Sequence, residues 1–143
     1  MSGSQRTYRA NVTVRVPVYP TEVADRVEES VLNLFPDADT ELEESDASVP
    51  GRAERTLVAS THSVEALAER VVEQEINEAT RSELLGSVVG DAVRFSLKKQ
   101  AAYVGRLNFD VGGHELGALD VHIETDDPEK LVDVIAPRVE PED

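Results

Sequence analysis

Strict alternation of apolar and polar residues is the clearest pattern in this chain. In residues 10–18 every second position is apolar, Ala10 followed by four valines, and Arg15 is one of the polar residues between the valines. A period of two places the apolar side chains on one face of a strand, so this segment predicts a strand with one buried and one solvated face. Weaker or shorter versions of the pattern predict further strands at 40–45, 57–60, 92–98, 106–109 and 119–124.

Other segments repeat apolar residues at the three- and four-residue spacing of an amphipathic helix. We expect Thr21 to cap the first helix, Ser63 to cap the second, and Asp126 or Asp127 to cap the last, with Pro128 at its first position. The predicted helices run from Glu22 to a stop at Pro36–Asp37, from Val64 to Ile76, from about Ala79 to Val89, and from Pro128 to the tail at Pro137.

Half-buried strands and one-sided helices together predict an α+β fold, in which an antiparallel sheet carries helices packed on one face. The opposite face of the sheet is then open to solvent. The length predicts a single domain over residues 1–143, with an ordered core at about 8–137 and an acidic C-terminal tail at 138–143. Residues 46–54 are expected to form a surface loop, and residues 111–113 a turn.

The charge changes how this surface is interpreted. The chain has 29 acidic residues against 14 basic ones, a formal net charge of -15, and only three of the bases are lysine. An acidic, lysine-poor surface is typical of adaptation to molar salt, where charges are screened within about 3 Å. We therefore expect a halophilic, archaeal source. The chain contains no cysteine, no long apolar run and no signal-peptide pattern, which predicts a cytoplasmic protein.

The bases are not distributed like the acids. Residues 92–109 read as two strands joined by a tight turn, and they hold Arg94, Lys98, Lys99 and Arg106 without any acid. Residues 1–21 are also free of acid and hold Arg6, Arg9 and Arg15. These two segments carry half of the 14 bases and none of the 29 acids, so the hairpin is the candidate for an anion-binding surface.

Basic side chains interleaved with an aromatic residue on an open sheet are typical of RNA binding. We predict that the bases neutralise phosphate, that the two amides donate and accept hydrogen bonds, and that the tyrosine stacks on a base. The predicted RNA-binding residues are Arg15, Arg94, Lys98, Lys99, Gln100, Tyr103, Arg106 and Asn108.

Three other interpretations remain open. Asp120, His122 and Glu124 should share this sheet face, and the two carboxylates are potential ion-pair partners for bases that merely lie on a solvated strand. Exclusion of acid would also relieve repulsion in a protein-interaction module or homodimer. A small anion held by Lys98, Lys99 and Arg106 is the third.

Catalytic chemistry is not indicated. His62, His114 and His122 are scattered, without the spacing of metal ligands on one helix. Gly112–Gly113 opens no helix and is therefore no phosphate-binding loop, and no nucleophile motif surrounds a serine or threonine. We predict a protein that is not an enzyme and that uses no cofactor and no metal.

Three stretches resemble an archaeal family known as uncharacterised protein family 0201, which is described as predicted RNA-binding. They are Val16–Glu22 with Val31–Asp37, then Lys99–Gly105 continuing to Asn108–Phe109, and Leu116–Ile123 ahead of the last helix. The resemblance extends from about Ala10 to Pro137. Lys98 stands where the family pattern has asparagine, and Ala118 where it has proline.

The resemblance implies an α+β fold similar to the large-subunit ribosomal protein that binds 5S ribosomal RNA, and to double-stranded-RNA-binding domains. It also implies a structured or ribosomal RNA as the partner. It implies no catalytic residues.

Overall fold

The structure is a computed structural model that describes residues 10–44, 55–110 and 117–138. Its strands are β1 (Ala10–Val18), β2 (Asp39–Glu44), β3 (Arg55–Thr61), β4 (Val88–Val89), β5 (Ala92–Lys98) and β6 (Ala118–Thr125). Its helices are α1 (Ala24–Leu34), α2 (Glu65–Glu73), α3 (Asn77–Leu85), α4 (Lys99–Tyr103) and α5 (Pro128–Ile135). The predicted strands at 10–18, 40–45, 57–60, 92–98 and 119–124 are confirmed to within two residues.

The six strands form one antiparallel sheet in the order β2-β3-β1-β6-β5-β4. The valine-rich strand β1 lies in the interior of this sheet, where β3 and β6 flank it and Arg15 is opposite both Val58 and Asp120. Its four valines are at most 2% exposed and join one apolar cluster with the inner sides of the helices. Burying each of them contributes about 1.5 to 3 kcal/mol, so the alternation decides which face of the sheet the helices cover. The predicted α+β class is confirmed.

One of the predicted helix caps is present. Asp127 Oδ1 accepts a hydrogen bond from the backbone N–H of Lys130 at 3.1 Å, and Pro128 opens α5. The prediction for Thr21 is wrong, because Val23 precedes α1 and offers no side-chain cap. A turn in which the N–H of Glu22 donates to the carbonyl of Tyr19 at 2.9 Å delays the start of that helix.

Ser63 is also not the N-cap residue that we predicted. Val64 occupies that position, although Ser63 Oγ still accepts from the N–H of Glu65 at 3.3 Å. The predicted third helix ends early as well. It stops at Leu85, and Val88–Val89 form β4 against the start of β5. Pairing with β5 satisfies backbone N–H and C=O groups that helical hydrogen bonds would otherwise satisfy.

The predicted hairpin at 92–109 is the main correction to the fold. Its two arms are joined by helix α4 and not by a tight turn. This helix buries Lys99 and Ala102, which lie three residues apart on the same side of it. The returning arm pairs only at Phe109, opposite Leu97, with Lys98 N–H donating to the carbonyl of Asn108 at 2.8 Å. The basic segment is therefore a strand, a short helix and an irregular return.

Several predictions lie outside the described residues. These are the loop at 46–54, the turn at 111–113, most of the C-terminal tail, and the positions of Arg6 and Arg9. That the whole chain forms a single domain stays a prediction. In the part of the chain that the structure describes, no helix has the length and apolar character needed to cross a membrane.

Candidate nucleic-acid interface

The open face of the sheet carries a shallow depression of about 430 Å³ over β1, β6 and β5. Strand register arranges its side chains in two adjacent rows: each residue of β6 lies between a partner on β5 and a partner on β1. The first row is Arg94, His122 and Thr13, and the second row is Ser96, Asp120 and Arg15. Two predicted RNA-binding arginines are thus brought to one place.

Acidic side chains occupy the same face. Among the described residues, alternation along the strands places five carboxylates beside three bases on this face. The acids are Asp39, Glu41, Glu43, Asp120 and Glu124, and the bases are Arg15, Arg94 and Lys98. The acid-free segments therefore do not produce an acid-free surface, because β2 and β6 bring carboxylates to it from elsewhere in the chain.

Arg15 has such an acidic neighbour. Its Nη1 lies 3.7 Å from Glu43 Oε1, and both side chains are more than half exposed. Exposed pairs of this kind contribute about 0 to 1 kcal/mol to stability, so this ion pair is too weak to fix the Arg15 side chain against β2. Asp120 makes a shorter contact on its own side of the sheet: its Oδ1 accepts a hydrogen bond from Ser96 Oγ at 2.7 Å.

A second group of predicted residues lies where β5 runs into α4. Lys98, Gln100, Arg106 and Asn108 are all exposed. Their segment is closed by two backbone hydrogen bonds, from Lys98 N–H to Asn108 at 2.8 Å and from Arg106 N–H to Ala101 at 2.9 Å. We call these four residues, together with Arg94 on β5, the basic corner. Its three bases make no ion pair within the described residues.

Lys99 does not belong to this corner, and the prediction that it contacts phosphate is corrected. The residue is 2% exposed, because α4 turns it toward the interior. Its Nζ donates to the carbonyl of Pro17 at 2.8 Å and lies 3.1 Å from the carboxylate oxygens of Glu22. It also lies 5.5 Å from the centre of the Tyr19 ring. Lys99 is therefore a structural cation that ties α4 to the end of β1.

Burial perturbs two ionisable groups around this contact. Desolvation lowers the pKa of Lys99 below its ordinary value, and the hydrogen bond and negative charge of Glu22 act in the opposite direction. Burial also raises the pKa of Tyr103, to which the charge of Glu22 adds while Arg26 opposes it. The Arg26 guanidinium lies 5.7 Å from the Tyr103 ring centre, so this ring already has a cation against it. The stacking role of Tyr103 stays a prediction.

The three stretches that carry the family resemblance meet at this contact. Pro17 and Glu22 come from the first and Lys99 from the second. Gly117 comes from the third: a Cβ there would lie 2.3 Å from Pro17 Cγ, and its φ of +84° suits glycine. Asn33 adds a further link, since its Nδ2 donates to the carbonyls of Ala102 at 2.9 Å and Tyr103 at 3.2 Å. What these stretches share is a packing centre that positions α4.

Sequence reasoning missed Glu22 and Asn33 as positioning residues. Both lie on helix-side segments far along the chain from α4, and nothing in their own spacing marks them. The available signal was the resemblance, which placed Glu22 and Lys99 in two separate family stretches without saying that they touch.

The histidines are not brought together. His62 Nδ1 lies 3.1 Å from the carbonyl of Ala10, His122 lines the depression, and His114 is outside the described residues. Over 10–44, 55–110 and 117–138, the structure contains no cluster of three or more histidine, aspartate or glutamate residues that could hold a metal ion.

An α+β sheet with a basic corner is consistent with a nucleic-acid-binding protein, and a family model described as RNA binding matches residues 11–126. The chain belongs to this family, the archaeal UPF0201 proteins. It is 38% identical over 130 residues to the UPF0201 protein MJ1564 of Methanocaldococcus jannaschii, an alignment that covers 89% of this chain and 72% of that one. The predicted family is confirmed.

A longer relative and a solved structure add to this. The UPF0200/UPF0201 protein of Archaeoglobus fulgidus is 36% identical over 98 residues, which cover 68% of this chain but 28% of that protein. The 2.2 Å crystal structure of the UPF0201 protein from Methanococcus jannaschii superposes with a TM-score of 0.80 at 35% identity, over 89% of this chain and 99% of that chain. The fold is therefore that of the UPF0201 proteins, and similarity to the ribosomal 5S-RNA-binding protein stays a prediction.

Proposed function

We propose that this protein is a non-enzymatic RNA-binding protein of a halophilic archaeon and that the basic corner supplies its phosphate contacts. The observation that carries the proposal is the grouping of Arg94, Lys98 and Arg106. In a chain with 29 acidic residues, these three exposed bases lie within thirteen consecutive residues that contain no acid. The description of the family as RNA binding supports the same function.

The amides of the basic corner have a specific part in this proposal. Contacts between bases and phosphates release counterions and therefore weaken steeply as salt rises. In molar salt, hydrogen bonds and shape must carry more of the affinity than charge does. Gln100 and Asn108 are exposed next to the bases and offer both donors and acceptors, which suit 2′-hydroxyls and base edges.

Lys98→Glu is expected to weaken RNA binding by about tenfold or more at low salt, because it replaces a phosphate contact with a repulsive charge. Lys130→Glu is the matched control, since Lys130 is also an exposed lysine and lies on α5, outside the basic corner. Affinity for a labelled RNA hairpin with a long single-stranded loop would be measured by fluorescence anisotropy over a range of KCl concentrations. The slope of log affinity against log salt should become shallower by about 0.7 to 0.9 for Lys98→Glu alone.

Equal losses from the two substitutions would mean that only net charge matters, and would overturn the assignment to the basic corner. Lys99 is not substituted in this experiment. Reversal of a buried charge would destabilise the fold, and the loss of RNA binding would then not identify an RNA contact. Crosslinking in cells at native salt, followed by sequencing of the recovered RNA, would then identify the target.

A protein-interaction module is the second candidate function. The observation that favours it is the Archaeoglobus fulgidus relative, in which a UPF0201 region belongs to a much longer UPF0200/UPF0201 chain. In its homodimeric form, this candidate predicts self-association of the purified protein. Light scattering in molar KCl that gives the mass of one 15.6 kDa chain at every concentration would exclude the homodimer.

A further inference from the structure

The depression on the open face combines groups that a purely phosphate-binding surface would not contain. Asp120 lies at its centre, between Ser96 on β5 and Arg15 on β1. Five carboxylates and three bases share the described part of this face, so phosphate binding by the bases at one corner does not account for the carboxylates beside them. A carboxylate in a nucleic-acid-binding site can recognise a base, because it accepts hydrogen bonds from the donors on the base edge.

We propose that this depression binds the base of one unpaired nucleotide and that guanine is the base it fits best. The inference rests on the RNA-binding function proposed above and assigns to the same protein a second contact, which adjoins the basic corner and shares Arg94 with it. Phosphates of the bound strand would lie toward the basic corner, while one base is turned onto the sheet. Single-stranded RNA is commonly read in this way, with splayed bases hydrogen-bonded along their Watson–Crick edges.

Asp120 is held in a suitable position to accept from a base. The hydrogen bond from Ser96 Oγ to Oδ1, at 2.7 Å, restricts its side chain. Each carboxylate oxygen has two lone pairs, so Oδ1 retains one and Oδ2 can accept as well. The residue is exposed, and its carboxylate therefore meets a ligand without any rearrangement of the strand.

Guanine is the base whose donors match this carboxylate. Its Watson–Crick edge presents two adjacent donors, the N1–H and the exocyclic amino group, and both oxygens of a carboxylate can accept from that pair. Adenine and cytosine place a ring acceptor beside their amino group, which repels the carboxylate. Uracil has a single donor flanked by two carbonyls. Asp120 therefore selects for guanine by attraction and against the other bases by repulsion.

Arg94 supplies the complementary donor. It is the direct neighbour of His122, which lies two residues along β6 from Asp120, and such diagonal neighbours are about 7–8 Å apart at the backbone. A guanidinium is long enough to reach the O6 side of a base whose other side meets Asp120. The His122 ring lies in the same row as Arg94 and provides a surface on which the base can stack.

Asp120→Asn is the test, and Glu41→Gln is its matched control. Glu41 is an exposed carboxylate on the same sheet face, on β2 and outside the depression. Both changes remove one negative charge and keep the shape of the side chain. The probes are labelled oligouridines that contain either one central guanosine or one central adenosine, measured by anisotropy in molar KCl.

The wild-type protein is expected to prefer the guanosine probe by about tenfold or more, as one bidentate contact allows. Asp120→Asn should remove that preference, because an amide has one acceptor oxygen and cannot accept both donors. Glu41→Gln should keep the preference and strengthen binding of both probes slightly. A wild-type protein that binds the two probes equally would overturn the inference, and so would tighter binding of both probes by Asp120→Asn.

The outcomes also separate this inference from the proposed function. If only the inference fails, both probes still bind and Lys98→Glu weakens them alike. If the wild-type protein binds neither probe nor the RNA hairpin, the proposed function and the inference are both wrong.

Discussion

Glu22→Ala is expected to destabilise the protein by about 3–5 kcal/mol, because it removes the carboxylate that lies 3.1 Å from the buried ammonium group of Lys99. Lys99 is 2% exposed and the Glu22 side chain is 9% exposed, so neither charge is compensated by bulk water. The carbonyl of Pro17 would remain as a neutral acceptor for Lys99 Nζ. Urea-induced unfolding at a fixed, high KCl concentration measures the loss.

The surface pair Arg26–Glu29 is the control for this prediction. Its atoms are 3.9 Å apart and its side chains are about 70% exposed, so Glu29→Ala should change stability by no more than about 0.5 kcal/mol. Adding Lys99→Met to Glu22→Ala should recover much of the lost stability, because the buried charge then disappears. Similar losses for Glu22→Ala and Glu29→Ala would contradict a structural role for the buried pair.

The lowered pKa of Lys99 gives an independent readout of its burial, which is the main cause of the shift. In the interval between that lowered pKa and the ordinary value of 10.5, the unfolded chain binds more protons than the folded protein does. The contribution of Lys99 to the free energy of unfolding therefore rises with pH across this interval. Comparison of the wild-type protein with Lys99→Met isolates it, since the variant lacks that rise and retains the other ionisable groups.

Gly117→Ala is expected to cost roughly 2–4 kcal/mol, for two reasons that act together. The φ of +84° at this residue lies in a region that alanine rarely adopts. The added methyl would also lie 2.3 Å from Pro17 Cγ, and a proline ring within a paired strand cannot move aside. The expected result is a large drop in the urea midpoint without a change in secondary structure.

Gly90→Ala separates these two reasons. Gly90 has a φ of +60° but would have no atom within 4 Å of a new Cβ, so its substitution costs only the backbone strain, about 1 kcal/mol. Equal losses at the two glycines would mean that the approach of Pro17 to Gly117 contributes nothing. A larger loss at Gly117 would support close packing where the three family stretches meet.

The candidate interface could be anticipated only in part. The presence of exposed bases at 94, 98 and 106 followed from strand alternation, because neighbouring residues on a strand point to opposite faces. Lys99 is different, because it was predicted to lie in a tight turn that presents its charge on the same surface. That position is already helical, and there the two-residue period no longer decides which side chains are buried.

The acids on the open face show what a local pattern leaves undetermined. Alternation assigns Glu41, Asp120 and Arg15 to solvated faces, but it does not say which strands are neighbours. The strand order places β2 and β6 on either side of the β3–β1 pair, and this brings their carboxylates to the face that carries Arg15. Charge segregation along the chain is therefore no guide to charge segregation on the surface.

The sequence by itself determined five of the six described strands, most of the helices, the α+β class and the family, because these follow from periods of two and 3.6 residues and from contiguous motifs. The tertiary structure alone decided that α4 replaces a turn, that Lys99 is buried and that Asp120 lies between Ser96 and Arg15. Each of these depends on a partner distant in the chain. Glu22 lies 77 residues before Lys99, and Ser96 lies 24 residues before Asp120. Pairings at such separations are set by the packed fold, and no local period encodes them.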